Sequence, residues 1–208
     1  MPVSWINSKT EVCNLALSLV GEMRITAFED EDDLNARICR DSYDQCRDSL
    51  LRSALWSFAT KRAVLAAYAS APVFGEGYQY VLPADFLRMI SINDIYAASM
   101  PDDFRIEMVD NTKVLVTDED AAKIRYIYRN DIPATYDAIF VKALYTSIAA
   151  QVAYTITGDA RLAEMLYVKA ERTAAQAMHE NANEVKPTIK SIATDSGLVR
   201  ARISSALG

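Results

Sequence analysis

The stretch FRIEMVDNTKVLV (Phe104–Val116) is where the chain changes period. Phe104, Ile106 and Met108 alternate with Arg105 and Glu107. Val114 and Val116 follow after Asp110-Asn111-Thr112, a turn composition. Further on, Ile124, Tyr126 and Tyr128 alternate with Arg125, Ile127 and Arg129. A period of two places successive side chains on opposite faces, so these segments read as strands with one buried face. Leu87 to Ile95 reads as a fourth strand. Connections this short pair strands mainly antiparallel. Residues 79 to 130 therefore form a small β-element, and helical spacing holds on both sides of it.

On the N-terminal side, Ser8-Lys9-Thr10-Glu11 is a capping box. The Ser side chain meets the amide of the third helical residue, and Glu reaches back. The helix is expected to bury Val12, Leu15, Ala16 and Leu19, and Gly21 ends it where a left-handed residue is wanted. Five consecutive acids follow, Glu29, Asp30, Glu31, Asp32 and Asp33. They repel one another, so they lie in solvent or face a basic partner. Asp32 or Asp33 can cap the next helix, which runs from about Asp33 to about Leu55 through Leu34, Ile38, Cys39, Tyr43, Cys46 and Leu50. ALWSFATKRAVLAAY predicts a third helix, and Ala71 to Gly77 a loop.

On the C-terminal side, Tyr136 to Thr157 is apolar around most of its circumference. Ile139 to Ile156 approaches membrane-span length, but Lys142, Gln151 and several hydroxyls interrupt it, and it reads as a core helix. Gly158-Asp159 is a stop followed by a cap. The next helix folds back antiparallel from about Ala160 to Asn181, burying Leu162, Met165, Leu166, Thr173 and Met178. The fold class is α+β: mainly a helical bundle with a small antiparallel β-element inserted, and an extended tail. The segments are 1–78 helical, 79–132 β, 133–185 a helix hairpin completing the bundle, and 186–208 tail. From Lys186 onward four cations, Lys186, Lys190, Arg200 and Arg202, stand against Asp195, a balance of +3 on a chain of net charge -6. Ile189, Ile192, Leu198, Val199, Ile203 and Leu207 space apolar residues along this tail, which suits ordering on a partner.

Chemistry is hard to find. The overall acidity argues against a general nucleic-acid binder. Cys13, Cys39 and Cys46 are odd in number, and Cys-x6-Cys is wrong for a zinc knuckle, so they read as small buried residues. The acidic run lacks the spacing and central glycine of a calcium loop. The one histidine, His179, reads as a helix-surface residue. No phosphate-binding, dinucleotide-binding, nucleophile-elbow or zinc-protease motif is present, and no cofactor is implied. Asp85, beside Pro83, reads as the cap of a short turn or helix. The start MPVSWINSKTEV lacks the basic and apolar regions of a secretory signal.

Four motifs occur in order between residues 11 and 95. Asn14, Ala16, Leu17, Gly21 and Glu22 come first, then Tyr43, Asp44, Arg47 and Asp48. Trp56, Phe58 and Ala59 follow, then Tyr80, Leu82, Pro83, Ala84 and Asp85. In this arrangement the chain resembles the podovirus tail tubular protein A family, head-to-tail adaptors of tailed phages. Val20 departs from the Leu of the family pattern.

The resemblance implies a ring, dodecameric in this family, at the head–tail junction of the virion. It would sit beneath the portal protein, extend the DNA channel without reading sequence, and support the next tail or nozzle protein. No membrane is involved. It assigns portal docking to the C-terminal segment, here Lys186, Lys190, Ile192, Leu198, Arg200, Arg202 and Ile203. The run Glu29, Asp30, Glu31, Asp32, Asp33 then faces either the lumen or a neighbouring subunit. Tyr80, Pro83 and Asp85 form a structural turn, with Pro83 directing the chain from the helices into the β-element. Catalytic, cofactor-binding and metal-binding residues are expected to be none. The alternative allowed by the resemblance is a cell-wall hydrolase on the same scaffold. A third reading, a plain helical binding module, predicts a monomer.

Overall fold

Ser8 opens the first helix, α1 (Lys9–Val20), with its hydroxyl accepting the Glu11 amide at 3.2 Å. The Glu11 carboxylate accepts the Ser8 amide at 3.1 Å, completing the box. Gly21 ends the helix at φ 85, a left-handed conformation that a side chain would strain. Asp33 caps α2 (Leu34–Ser53) through the amides of Asn35 and Ala36. Asp137 caps α3 (Ala138–Thr157), Gly158 closes it at φ 68, and Asp159 accepts the amides of Arg161 and Leu162 at the start of α4 (Ala160–Glu184).

The computed structural model describes residues 6–99 and 104–184. They divide into two units, one made of 6–60 with 127–184 and the other of 61–99 with 104–126.

In the helical unit α3 is central and packs against α1, α2 and, most extensively, α4. It is long and apolar enough to cross a membrane by length and composition, and here Phe140, Leu144, Ile148 and Val152 are buried among protein side chains. An aromatic cluster closes one end: Trp56, Phe58 and Tyr136 surround Phe140, with ring centroids 5.0–5.1 Å from it. Val12 and Ala16 are buried as expected, while Leu15 and Leu19 are only half-buried, and Cys13 and Leu17 fill the core instead. On α4, Leu166 and Thr173 are buried and Leu162 and Met178 half-buried, but Met165 is 63% exposed.

The expected third helix is absent. After α2 the backbone extends at Ala54, makes one 3-10 turn over Ser57–Ala59 and enters β1 (Thr60–Val64). The segment is rich in helix formers, but propensity is worth only a few tenths of a kcal/mol per residue. Anchoring Trp56 in the core and pairing β1 with a neighbouring strand outweigh it.

The β unit holds two small antiparallel sheets. One has the order β1-β7-β3-β4, with β3 (Phe86–Ile92), β4 (Ile95–Tyr96) and β7 (Lys123–Tyr128). The other is β2-β6-β5, with β2 (Tyr78–Val81), β5 (Phe104–Val109) and β6 (Thr112–Thr117). In the second, Leu115 faces Tyr80 on one side and Ile106 on the other. The alternation in β5 does not produce a buried face. As the edge strand of its sheet, it leaves both Ile106 and Met108 exposed.

Two hairpins turn on pairs of left-handed residues, Asn93-Asp94 (φ 49, 66) and Asp110-Asn111 (φ 46, 62). Such turns match strand twist and favour Asn, Asp and Gly. Asn111→Val is expected to cost about 1–2 kcal/mol in urea denaturation, because a β-branched side chain clashes at positive φ. Asn111→Gly should cost nothing.

Candidate functional site

Of the turn residues, Tyr80 lies in β2, and Pro83 and Asp85 lie between β2 and β3. Tyr80 is buried, and its hydroxyl donates to the Glu119 carbonyl at 2.9 Å. The Pro83 carbonyl accepts the Phe86 amide at 3.0 Å, closing the turn. Asp85 does not cap a helix. Its two oxygens accept from Lys61 Nζ at 2.7 Å and from the Tyr126 hydroxyl at 3.0 Å, tying the turn to β1 and β7. Phe86 stacks on Tyr126 beside it, centroids 5.7 Å apart. Each of these polar atoms of the turn is engaged with the fold.

The acidic run is partly used by the protein itself. The Asp30 carboxylate accepts the amides of Asp32 and Asp33 at 3.0 and 3.3 Å, and Asp33 caps α2. Arg40 reaches Glu31 at 2.9 Å and Glu29 at 3.9 Å. Those two side chains remain 76% and 80% exposed, so the run still presents carboxylates outward.

A charged cluster that sequence reasoning missed lies in the helical unit. Arg47 is fully buried, yet its guanidinium meets Asp44 at 2.8 Å, Asp48 at 2.8 Å, and Asp131. Arg129 also holds Asp48 at 2.8 Å, and Lys9 holds Asp131 at 2.8 Å. Burial alone would lower the Arg47 pKa. The hydrogen bond and charge of Asp48, with Asp44 and Asp131, outweigh it and raise the pKa above its usual value. The i,i+3 pair Asp44–Arg47 was visible in the sequence. Asp131, 84 residues away, was not.

Cys13, Cys39 and Cys46 are buried free thiols. The Cys39 partner and burial hold the Cys13 thiol well above its ordinary range. Cys46 donates to Gln151 Oε1 at 3.0 Å, and burial pushes its pKa up to about 11. A thiol whose folded pKa is raised stabilises the fold fully below the unfolded value of 9.0, and that stability is lost as pH rises towards 11. The helical unit should therefore weaken in urea between pH 9 and 11. Cys46→Ala should flatten part of that slope, with Cys13, and with Tyr43 and Tyr136 raised chiefly by burial, accounting for the rest. An unchanged slope would assign the effect to Cys13 and the tyrosines. Among the described residues no group of three or more His, Cys, Asp or Glu is arranged to hold a metal. His179 is exposed on α4, its ring 3.4 Å from the Asn183 side chain.

Two grooves flank α4. One groove of about 500 Å³ runs beside α2 and α3, lined by Cys46, Ser49, Ser147, Gln151, Tyr167 and Met178 among others. A second, of about 750 Å³, lies on the opposite flank with Leu19, Leu162, Met165, Val168 and Arg172. No family model and no curated protein matches this chain. Its surfaces must therefore be read on their own chemistry. Both flanks combine exposed apolar side chains with scattered charges, the composition of contact surfaces between proteins. The segment assigned to portal docking, Lys186, Lys190, Ile192, Leu198, Arg200, Arg202 and Ile203, lies outside the described residues.

Proposed function

We propose that this chain is a structural head-to-tail adaptor of a tailed bacteriophage. Copies would form a ring beneath the portal protein, extend the DNA channel and carry the next tail component. The observation that supports this reading best is α4. It lies along α3 and leaves Met165, Tyr167 and Val168 exposed on its other sides, and Tyr154 of α3 is exposed as well. A ring places two neighbours on every subunit through unlike surfaces, and two separate flanks suit that demand. The overall acidity of the chain, a net charge of -6, suits a channel in which DNA slides, because basic walls would hold phosphate by counterion release. The basic tail would dock on the portal.

The test is sizing of the purified chain alone and with the portal protein of the same phage. Co-elution as a ring on the portal, lost on truncation at Pro187, is expected. A chain that never joins the portal, or one that clears peptidoglycan suspensions while doing so, would overturn a purely structural role.

A further inference from the structure

The β unit carries a basic cleft that nothing above uses. It has a volume of about 380 Å³ and is lined by Arg62 and Val64 of β1, Ser91 of β3, Asp94, and Lys123 and Arg125 of β7. Three cations face one acid there. Asp94 lies at the limit of pairing with Arg125, 4.0 Å away, and its own carboxylate is turned to solvent. Arg125 Nε is buried without an acceptor among the described residues. Arg62 and Lys123 pair with no carboxylate among them either. An unsatisfied buried donor calls for an explanation, and the guanidinium that carries it is one-third exposed, so its other nitrogens remain open to an acceptor. At the rim Val64 is exposed, an apolar residue beside the charges.

The helical unit carries the complement. Glu29 and Glu31 extend into solvent with Arg40 as their paired cation, and Leu34, next to the run, is an exposed apolar residue. A loop of carboxylates flanked by an aliphatic side chain matches a cleft of cations flanked by an aliphatic side chain. We infer that the cleft of one copy receives the Glu29–Asp33 loop of a second copy of this chain. Carboxylates would meet Arg62, Lys123 and Arg125, and Leu34 would lie against Val64. Loop and cleft are different surfaces, so each copy offers one to each neighbour and the contact propagates until rotation closes it. The inference rests on the ring reading and names one of its contacts.

The test is sedimentation of the full chain at rising concentration, up to about 1 mM, a range that spans contacts worth as little as 4.1 kcal/mol. Lys123→Glu/Arg125→Glu in the cleft and Glu29→Lys/Glu31→Lys in the loop should each raise the concentration needed for association by about tenfold or more. The chain carrying all four changes should associate at a lower concentration than the cleft variant, since two of the loop's five acids are then replaced by cations that attract the new carboxylates of the cleft. Lys123→Glu alone, at an exposed site, repeats the cleft test without touching the half-buried Arg125. Association indifferent to all of these would overturn the contact while leaving the adaptor reading to the portal experiment. So would a chain that stays monomeric throughout. Cleft variants that lose retention on duplex DNA with self-association intact would make the cleft a phosphate site and equally overturn the proposal.

Discussion

Trp56→Ala is expected to destabilise the helical unit by about 3–5 kcal/mol, as large-to-small aromatic changes in a core do. Trp56 is almost wholly buried. Its ring meets Phe140 edge-on at 5.1 Å and Phe58 at 5.8 Å, and its Nε1 donates to the Leu50 carbonyl at 2.9 Å. Truncation removes the apolar contact, opens a cavity at the end of the aromatic cluster and leaves that carbonyl with only the Ser53 hydroxyl, 2.7 Å away, as a side-chain donor. Trp56→Phe separates these terms. It keeps most of the ring and loses the hydrogen bond, for an expected cost of about 1–3 kcal/mol. Urea denaturation followed by helical circular dichroism measures both. Equal losses for the two variants would place the energy in the hydrogen bond rather than in packing.

Arg47→Ala should cost a similar amount, about 3–5 kcal/mol, by a different route. Losing one member of a buried ionic cluster strands the others. The exposure of the three carboxylates decides which one suffers. Asp44 and Asp131 are half-exposed or more and can turn to water, whereas Asp48 is 20% exposed and keeps Arg129 as its remaining cation. Asp44→Asn is therefore expected to cost less than about 1 kcal/mol, the range of exposed ion pairs, and Asp48→Asn several times more. Arg47→Lys should rescue only part of the loss, because an ammonium cannot span three carboxylates as the planar fork does. Equal costs for Asp44→Asn and Asp48→Asn would show that solvent exposure does not govern the cluster.

Local signals were legible in the sequence. The Ser8–Glu11 box, the Asp33 cap, and the glycines at 21 and 158 fix helix ends through contacts spanning no more than four residues, so a reader of the chain can see both partners at once. The alternation around Asp110-Asn111 gave the β5–β6 hairpin for the same reason. What failed was whatever depends on a distant partner. ALWSFATKRAVLAAY has helical composition, and only the pairing of β1 with β7, some sixty residues later, makes a strand of Thr60–Val64. Asp85 could not be told from a cap until Lys61 and Tyr126 were seen beside it. The Arg47 cluster needed Asp131, and the basic cleft needed Arg62 brought beside Lys123 and Arg125. Exposure at β5 and at Met165 was invisible because period reports which residues share a face, not whether anything covers it.

The route of the chain also bears on its synthesis. It leaves the helical unit at Thr60 and returns at Ile127, so the 66 residues from Lys61 to Tyr126 emerge from the ribosome between α2 and the helix that covers it. At typical elongation rates that interval is about 3–13 s. Throughout it, Tyr43, Leu51 and Trp56 have no α3 to pack on, while the intervening strands are nearly all available to one another. The order of birth thus favours completing the inserted sheets first, and leaves the nascent N-terminal helices as the portion that chaperones would need to shelter.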